Sequence, residues 1–302
     1  MTDTINESVF IKPFVKWAGG KSSIKKVLYS QLPDDFGNQN NVTYIEPFVG
    51  SGAMLFYMLQ THKNIKHAII NDINKDLIHC YRLIKEAPQL LIKLLKPIEK
   101  KYCSFDELGQ KDYYYATRNK YNSNQLDENQ RAALFLFLNH TCFNGLYREN
   151  LEGGFNVPFG CYKKPRICNT EVIMADHDIL SKVEILCGDY KDVICHIKKG
   201  YTFLYLDPPY RPLQGSNNFQ KYSKSAFGDS EQEELKAFCD ELNEHHCQFM
   251  LSNSDSTDFD GSSYFEKLYR GYNIKRILAP RLINAYADKR LKQTEVLISN
   301  YE

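Results

Sequence analysis

Apolar residues run without polar interruption through positions 201–206, Tyr-Thr-Phe-Leu-Tyr-Leu, and prolines follow at 208 and 209. A run of aromatic and branched residues that does not alternate reads as a strand buried on both faces. Two prolines forbid further ladder hydrogen bonds, so the strand stops at Asp207. Similar short runs predict strands at 42–46, 67–72, 183–186, 248–251 and 295–298. Elsewhere the spacing is helical. Residues 53–59 form one continuous apolar helix, Leu77, Tyr81 and Ile84 share a face, and so do Leu91, Leu94, Leu95 and Ile98. Asp127 with Gln130 forms a capping box for a helix through Leu138, and Ser230 with Glu233 starts another that carries Leu235, Phe238 and Leu242. Strands alternating with helices on both sides of one helical block predict an α/β fold, a doubly wound and mostly parallel sheet of Rossmann-like type. Residues 1–80 and 171–302 form the sheet domain in this reading, and 81–170 a helical insertion ending in a β-hairpin.

Composition narrows the partners. An apolar content of 43% in 302 residues supports a substantial core. The net charge is only +1, so a nucleic acid would have to be held by local patches. Two patches stand out. Between positions 270 and 295 Arg270, Lys275, Arg276, Arg281, Lys289, Arg290 and Lys292 face Asp288 and Glu295, and near the start Lys12, Lys16, Lys21, Lys25 and Lys26 face Asp3 and Glu7. By themselves both clusters read first as solvated surface. Nine cysteines without a C-x-x-C pair point to reduced thiols, hence a cytoplasmic protein with neither a disulfide framework nor a zinc site. Asp176-His177-Asp178 and His245-His246 are adjacent residues, a spacing poor for one metal, and read as surface. The apolar run 132–138 is too short to span a bilayer, so no membrane partner is expected.

The chemistry gathers after the central strand. Asp207-Pro208-Pro209-Tyr210 offers an anionic acceptor, a proline carbonyl and an aromatic plane at a carboxyl strand end, where open α/β sheets open a crevice for ligands. An exocyclic amine on a flat heterocycle suits it, although a rigid turn is the plain alternative. Glu46-Pro47-Phe48-Val49-Gly50-Ser51-Gly52 joins a strand to a helix as a nucleotide-type turn. Asp72 lies twenty positions after Gly52, the distance at which an acid meets ribose hydroxyls, and a full G-x-G-x-x-G is missing. A mononucleoside such as the adenosyl part of S-adenosylmethionine therefore fits better than a dinucleotide. Trp17 and Lys21 flank Gly19-Gly20 without Walker spacing, and Asp189-Tyr190 follows another strand, where Asp189 could accept from an adenine amine. Residues 139–166 interleave aromatic, Asn, Gly and basic residues, with Gly153-Gly154 able to turn a hairpin. There Arg148 can pair with guanine, Phe143 can wedge into a base step, and Lys163 and Lys164 can hold phosphates.

The motifs Lys12-Pro-Phe-Val-Lys-Trp-Ala-Gly-Gly-Lys21, Glu46-Pro-Phe-Val-Gly-Ser-Gly52, Asn71-Asp-Ile-Asn74, Asn144-Gly-Leu-Tyr-Arg148, Phe155-Asn-Val-Pro-Phe-Gly160, Tyr162-Lys-Lys-Pro165, Asp207-Pro-Pro-Tyr210 and Leu251-Ser-Asn253 occur in that order. In this the chain resembles the Dam-type DNA adenine-N6 methyltransferases, the α group of the amino-methylating enzymes. The resemblance implies transfer of a methyl group from S-adenosyl-L-methionine to an adenine flipped from double-stranded DNA, within GATC or a relative such as GATATC. It implies no metal, and a monomer is expected. Asp207, Pro208, Pro209 and Tyr210 would be the catalytic set. Trp17, Lys21, Asp72 and Asp207 would contact the cofactor, together with Glu46, Pro47, Phe48, Gly50, Gly52, Asp189 and Tyr190. Lys16, Phe143, Asn144, Leu146, Arg148, Pro158, Tyr162 and Lys163 match DNA-contacting positions. Cys161 departs from the family's common arginine, and 282–292 lacks the usual glycine-rich spelling. A methyltransferase for RNA or another planar amine, and a DNA-binding relative without catalysis, are the rival readings.

Overall fold

The computed structural model describes residues 11–17, 19–123, 125–212, 227–280 and 292–302. Within them one sheet of seven strands runs in the order β3-β2-β1-β4-β5-β7-β6. The strands are β1 (Val42–Glu46), β2 (Ile65–Ile70), β3 (Val183–Ile185), β4 (Thr202–Leu206), β5 (Gln248–Ser254), β6 (Asn273–Pro280) and β7 (Lys292–Ser299). The first five pair in parallel, and β7 runs antiparallel to both β5 and β6. This is the expected doubly wound, mostly parallel α/β architecture.

Alternate residues of the central strands feed two cores. Tyr44, Phe203, Tyr205 and Met250 join one, packed with α2 (Ala53–Thr61) and α3 (Lys75–Glu86). Ile45, Leu204, Leu206 and Leu251 join the other, covered by Leu235, Phe238 and Leu242 of α8 (Asp229–Glu244). Burial on both faces is why β4 carries no polar alternation. It also fixes the site: the chain passes from β1 outward through β2 and β3, then returns to β4 on the other side of β1. The crevice between the carboxyl ends of β1 and β4 is therefore the topological switch point.

The helical block follows α3 as α4 (Pro88–Cys103), α5 (Glu107–Asn122) and α6 (Glu128–Thr141), and α7 (Thr170–Leu180) leads back to the sheet. Asp127 caps α6 by accepting from the Gln130 amide at 2.8 Å, as expected. Residues 132–138 are buried all round, and the interior of the block is continuous with the core on the β1–β4 face.

Several expectations need correction. β6 was not foreseen, because its Lys275 and Arg276 read as part of a basic surface. Arg276 is in fact neutralised by Asp255 at 3.0 Å and Glu266 at 2.7 Å. The strand expected from 67 begins at Ile65, where pairing with β1 starts. Helix α8 begins at Asp229, and the Glu231 carboxylate accepts from the Gly228 amide at 2.7 Å, so Ser230 is not its cap. Asp176 is no surface residue. It is wholly buried on α7, and its neighbour His177 meets the Ile84 carbonyl at 3.1 Å, because helical periodicity turns these two inward. Most of the 212–228 loop and the 282–292 segment, with Arg281, Lys289 and Arg290, lie outside the described residues.

Candidate active site

The two prolines end β4 and turn the chain, and a polar scaffold holds that turn rigid. Gln232 of α8 donates to the Pro209 carbonyl at 3.2 Å and accepts from Asn253 at 3.1 Å. Asn253 in turn accepts from the Arg211 amide at 3.1 Å, and the Ser254 hydroxyl donates to the Arg211 carbonyl at 2.6 Å. The Arg211 guanidinium pairs with Asp229 at 2.7 Å and Asp258 at 3.3 Å. The Asn253 of the Leu-Ser-Asn motif is thus a clamp on the Asp-Pro-Pro-Tyr turn.

Lys21 joins this turn to the N-terminal glycines. Its ammonium lies 2.8 Å from Asp207 Oδ1, donates to the Gly19 carbonyl at 2.9 Å, and sits 4.6 Å from the centre of the Tyr210 ring. Burial pushes the Asp207 carboxyl above its ordinary value, and the Lys21 charge opposes that push. The Tyr210 hydroxyl donates to Glu295 Oε2 at 2.8 Å. Glu295 belongs to β7, and the sequence marks it only as the start of a strand and as an acid of the basic patch. Antiparallel pairing with β5 brings it opposite Ser254, beside the crevice, and no local signal marks that placement. Pro208 is buried and Pro209 exposed.

The glycine turn lies across the crevice. Gly50 and Gly52 have φ of +48° and +70°, conformations that glycine adopts freely. A side chain on Gly50 would meet Trp17 Cδ1 at 2.8 Å, and one on Gly52 would meet the Tyr81 hydroxyl at 2.7 Å. That hydroxyl donates to the Gly50 carbonyl at 2.9 Å. Asp72 locks the other side, accepting from the Gly50 amide at 3.0 Å and the Asn74 amide at 2.9 Å. Pro47 is buried, and Glu46 is sealed at 2% exposure, accepting from the Tyr44 hydroxyl at 2.6 Å. Burial raises the Glu46 carboxyl to about 8, opposed by the Tyr44 hydrogen bond and reinforced by nearby Asp207. Phe48 lies 4.9 Å from Tyr190 and 6.3 Å from Phe227, centre to centre. The Tyr190 hydroxyl is buried without a hydrogen-bond partner among the described residues, and exposed Asp189 accepts from the Lys191 amide at 2.8 Å.

Trp17 is packed on one ring face rather than open on both. One side of its ring is stacked on Tyr147 at 5.7 Å, so it wedges the hairpin against the glycine turn. Asn139 reinforces the wedge by accepting from the Lys16 amide at 2.9 Å and donating to the Lys16 carbonyl at 2.7 Å.

The hairpin forms as the glycines predict. Glu149 bridges Phe155, Cys142 bridges Phe159, and Gly153 turns with φ of +83°. Phe143, Asn144, Arg148, Pro158 and Lys163 are exposed along it, and Leu146 is half-buried. The Arg148 guanidinium is pre-set by Asn156, whose Oδ1 accepts from Nε at 2.6 Å and whose carbonyl accepts from Nη2 at 3.3 Å. The Tyr162 hydroxyl oxygen accepts from the Asn144 amide at 3.2 Å, and the Lys16 ammonium lies 4.3 Å from the Tyr162 ring centre. The structure therefore gathers the expected residues into two groups, a crevice and a basic hairpin, joined through Trp17 and Lys16.

The family model for the D12 class of N6 adenine-specific DNA methyltransferases matches residues 17–283. Type II methyltransferase M.MjaIII of Methanocaldococcus jannaschii is 43% identical over 294 residues, covering 96% of this chain and 99% of that protein. Type II methyltransferase M1.LlaDCHI of Lactococcus lactis subsp. cremoris is 34% identical over 296 residues, covering 96% of each. The DNA adenine methylase of Haemophilus influenzae is 34% identical over 287 residues, covering 95% of this chain and 92% of that protein.

Proposed function

We propose, from the premise that this chain belongs to the D12 class of N6 adenine-specific DNA methyltransferases, that it methylates adenine within GATC using S-adenosylmethionine and a flipped target base. The observation that carries the reading is Lys21, whose single ammonium ties the Asp207 acceptor and the Tyr210 ring to the Gly19 backbone. Acceptor, ring and glycine turn are thereby held as one unit.

The residues present suit S-adenosylmethionine. Phe48 and Tyr190 offer an aromatic wall, and the buried Tyr190 hydroxyl has no partner among the described residues; Gly50 and Gly52 let the turn pack tightly against Trp17 and Tyr81. Asp72, Asp189 and Lys21 complete the polar set that would hold it, and Pro47 and Glu46 back the turn. When bound, it supplies a methyl group activated as a sulfonium.

The chain's own residues prepare the amine. Adenine N6 is out of reach inside a duplex, so the base rotates out at a cost of a few kcal/mol. Stacking on Tyr210 offsets about 1–3 kcal/mol of that. The amine is a weak nucleophile because its lone pair is delocalised into the ring. Asp207 and the Pro208 carbonyl accept its two N–H groups and favour the pyramidal form whose lone pair is free. Fixed acceptors aimed at developing charge commonly contribute a factor of about 10²–10³. Residues 81–170 act as the target-recognition unit, with Arg148 reading a guanine and Phe143 wedging into a base step. Lys16, Asn144, Leu146, Pro158, Tyr162 and Lys163 hold the surrounding backbone. The enzyme works in the cytoplasm, and no described helix is long and apolar enough to cross a membrane.

The test is to express the chain in a host without DNA methylation and sequence the modified bases in plasmid. N6-methyladenine confined to GATC is expected. Methylation confined to another sequence would overturn the assigned site, and unmodified DNA from soluble protein would overturn the activity.

A further inference from the structure

A cleft of about 440 Å³ opens beside the hairpin, between the N-terminal segment, α4, α6, α7 and the strap that follows the hairpin. Lys12, Lys16, Lys163, Lys164 and Arg166 line it, and no Asp or Glu does. In a chain of net charge +1, five cations around one opening is a strong local field. All five are exposed, and among the described residues none forms an ion pair. Glu99, the acid held against the strap, is engaged by the amides of Ile167 at 2.8 Å and Cys168 at 3.1 Å.

The floor is apolar, with Phe14, Leu95, Leu136 and Ile173 all buried. Such a floor lets the lysine stems lie on it while their ammonium groups stay at the rim. It also lowers the local dielectric, so the rim field is concentrated in the opening. His140 in the wall adds no charge: its Nε2 meets the Phe14 carbonyl at 3.0 Å, and burial lowers the ring to about 4.

We propose that this cleft grips the sugar-phosphate backbone of DNA flanking the recognition sequence. The inference rests on the reading that the hairpin docks on duplex DNA. Tyr162 is the wall shared by both surfaces. Its hydroxyl meets the Asn144 end of the hairpin, and its ring carries Lys16 at the cleft. A continuous polyanion leaving the hairpin meets the cleft next. The lining provides charge and apolar surface, which suit phosphate and sugar in any sequence.

The test compares binding to a short duplex ending at the methylated sequence with binding to one extended on both sides, across a salt series. The variant is Lys12→Ala with Arg166→Ala, two exposed changes outside the proposed reading surface. On the extended duplex the variant should bind roughly tenfold more weakly, and its slope of log affinity against log salt should fall by about 2, near 0.9 per phosphate released. On the short duplex variant and parent should bind alike, and Lys12→Arg with Arg166→Lys should restore the extended-duplex slope. An unchanged slope on the extended duplex, or an equal loss on both duplexes, overturns the proposal. So does inorganic phosphate abolishing the length dependence at matched ionic strength, which would mark a free-anion site. Methyl transfer by the unaltered enzyme to the short duplex separately tests the reading beneath it.

Discussion

At the residue scale the crevice depends on a few atoms whose chemistry cannot be exchanged. Asp207→Asn keeps the shape of the side chain but replaces one acceptor with an N–H and strips Lys21 of its counter-charge. Turnover at saturating substrates should fall by about 10²–10³, while DNA affinity measured by anisotropy stays near the parent value. Near-normal turnover would exclude Asp207 as the acceptor. Glu295→Ala leaves the Tyr210 hydroxyl without its 2.8 Å partner. A hydrogen bond to a charged group is worth about 1.5–3 kcal/mol, so kcat/KM should drop roughly tenfold to a hundredfold, with Glu295→Gln recovering part of it. An alanine variant as active as the parent would show that the ring needs no such anchor. Asp207, Tyr210, Lys21 and the two glycines were legible, because proline stops and glycine turns are local backbone facts. Glu295 was not, because its place comes from a partner strand far away in sequence.

At the element scale the hairpin converts a flexible arginine into an aimed one. Asn156 sits across the hairpin from Arg148 and takes Nε and one Nη2 proton, which leaves Nη1 to face a base edge. Arg148→Ala should cost about 1–3 kcal/mol of discrimination at one guanine, seen as relaxed site preference in competition methylation. Asn156→Ala should move specificity in the same direction by less, since the fork survives without its support. Equal loss of Arg148→Ala on all sequences would identify a phosphate contact instead. The aromatic and glycine content of 139–166 announced this element. What it could not announce is the Trp17 stack on Tyr147, which couples the hairpin to the glycine turn through tertiary contact alone.

At the scale of the whole molecule, two buried carboxyl groups make stability depend on pH. Asp176 is wholly buried, its oxygens find no partner among the described residues, and burial pushes it from 3.8 to about 8. Unfolded, it ionises near 3.8; folded, it keeps its proton to about 8. In that window the folded state binds more protons, so stability falls as pH rises. Glu46 acts in the same sense between 4.5 and about 8. Melting curves should therefore decline from pH 5 to pH 8 less steeply for Asp176→Asn than for the parent, and parallel declines would show that Asp176 is ionised in the folded chain. The sequence alone determined the sheet's central strands, the glycine and proline turns and the order of the motifs, because each follows from local periodicity and backbone restriction. Only the tertiary structure decided that β6 joins the sheet and that β7 runs antiparallel between β5 and β6, that Glu295 reaches Tyr210, that Asp176 is interior, and that separated cations share one cleft. Those outcomes depend on which distant segments pack together, a property of the closed fold and of no single stretch of chain.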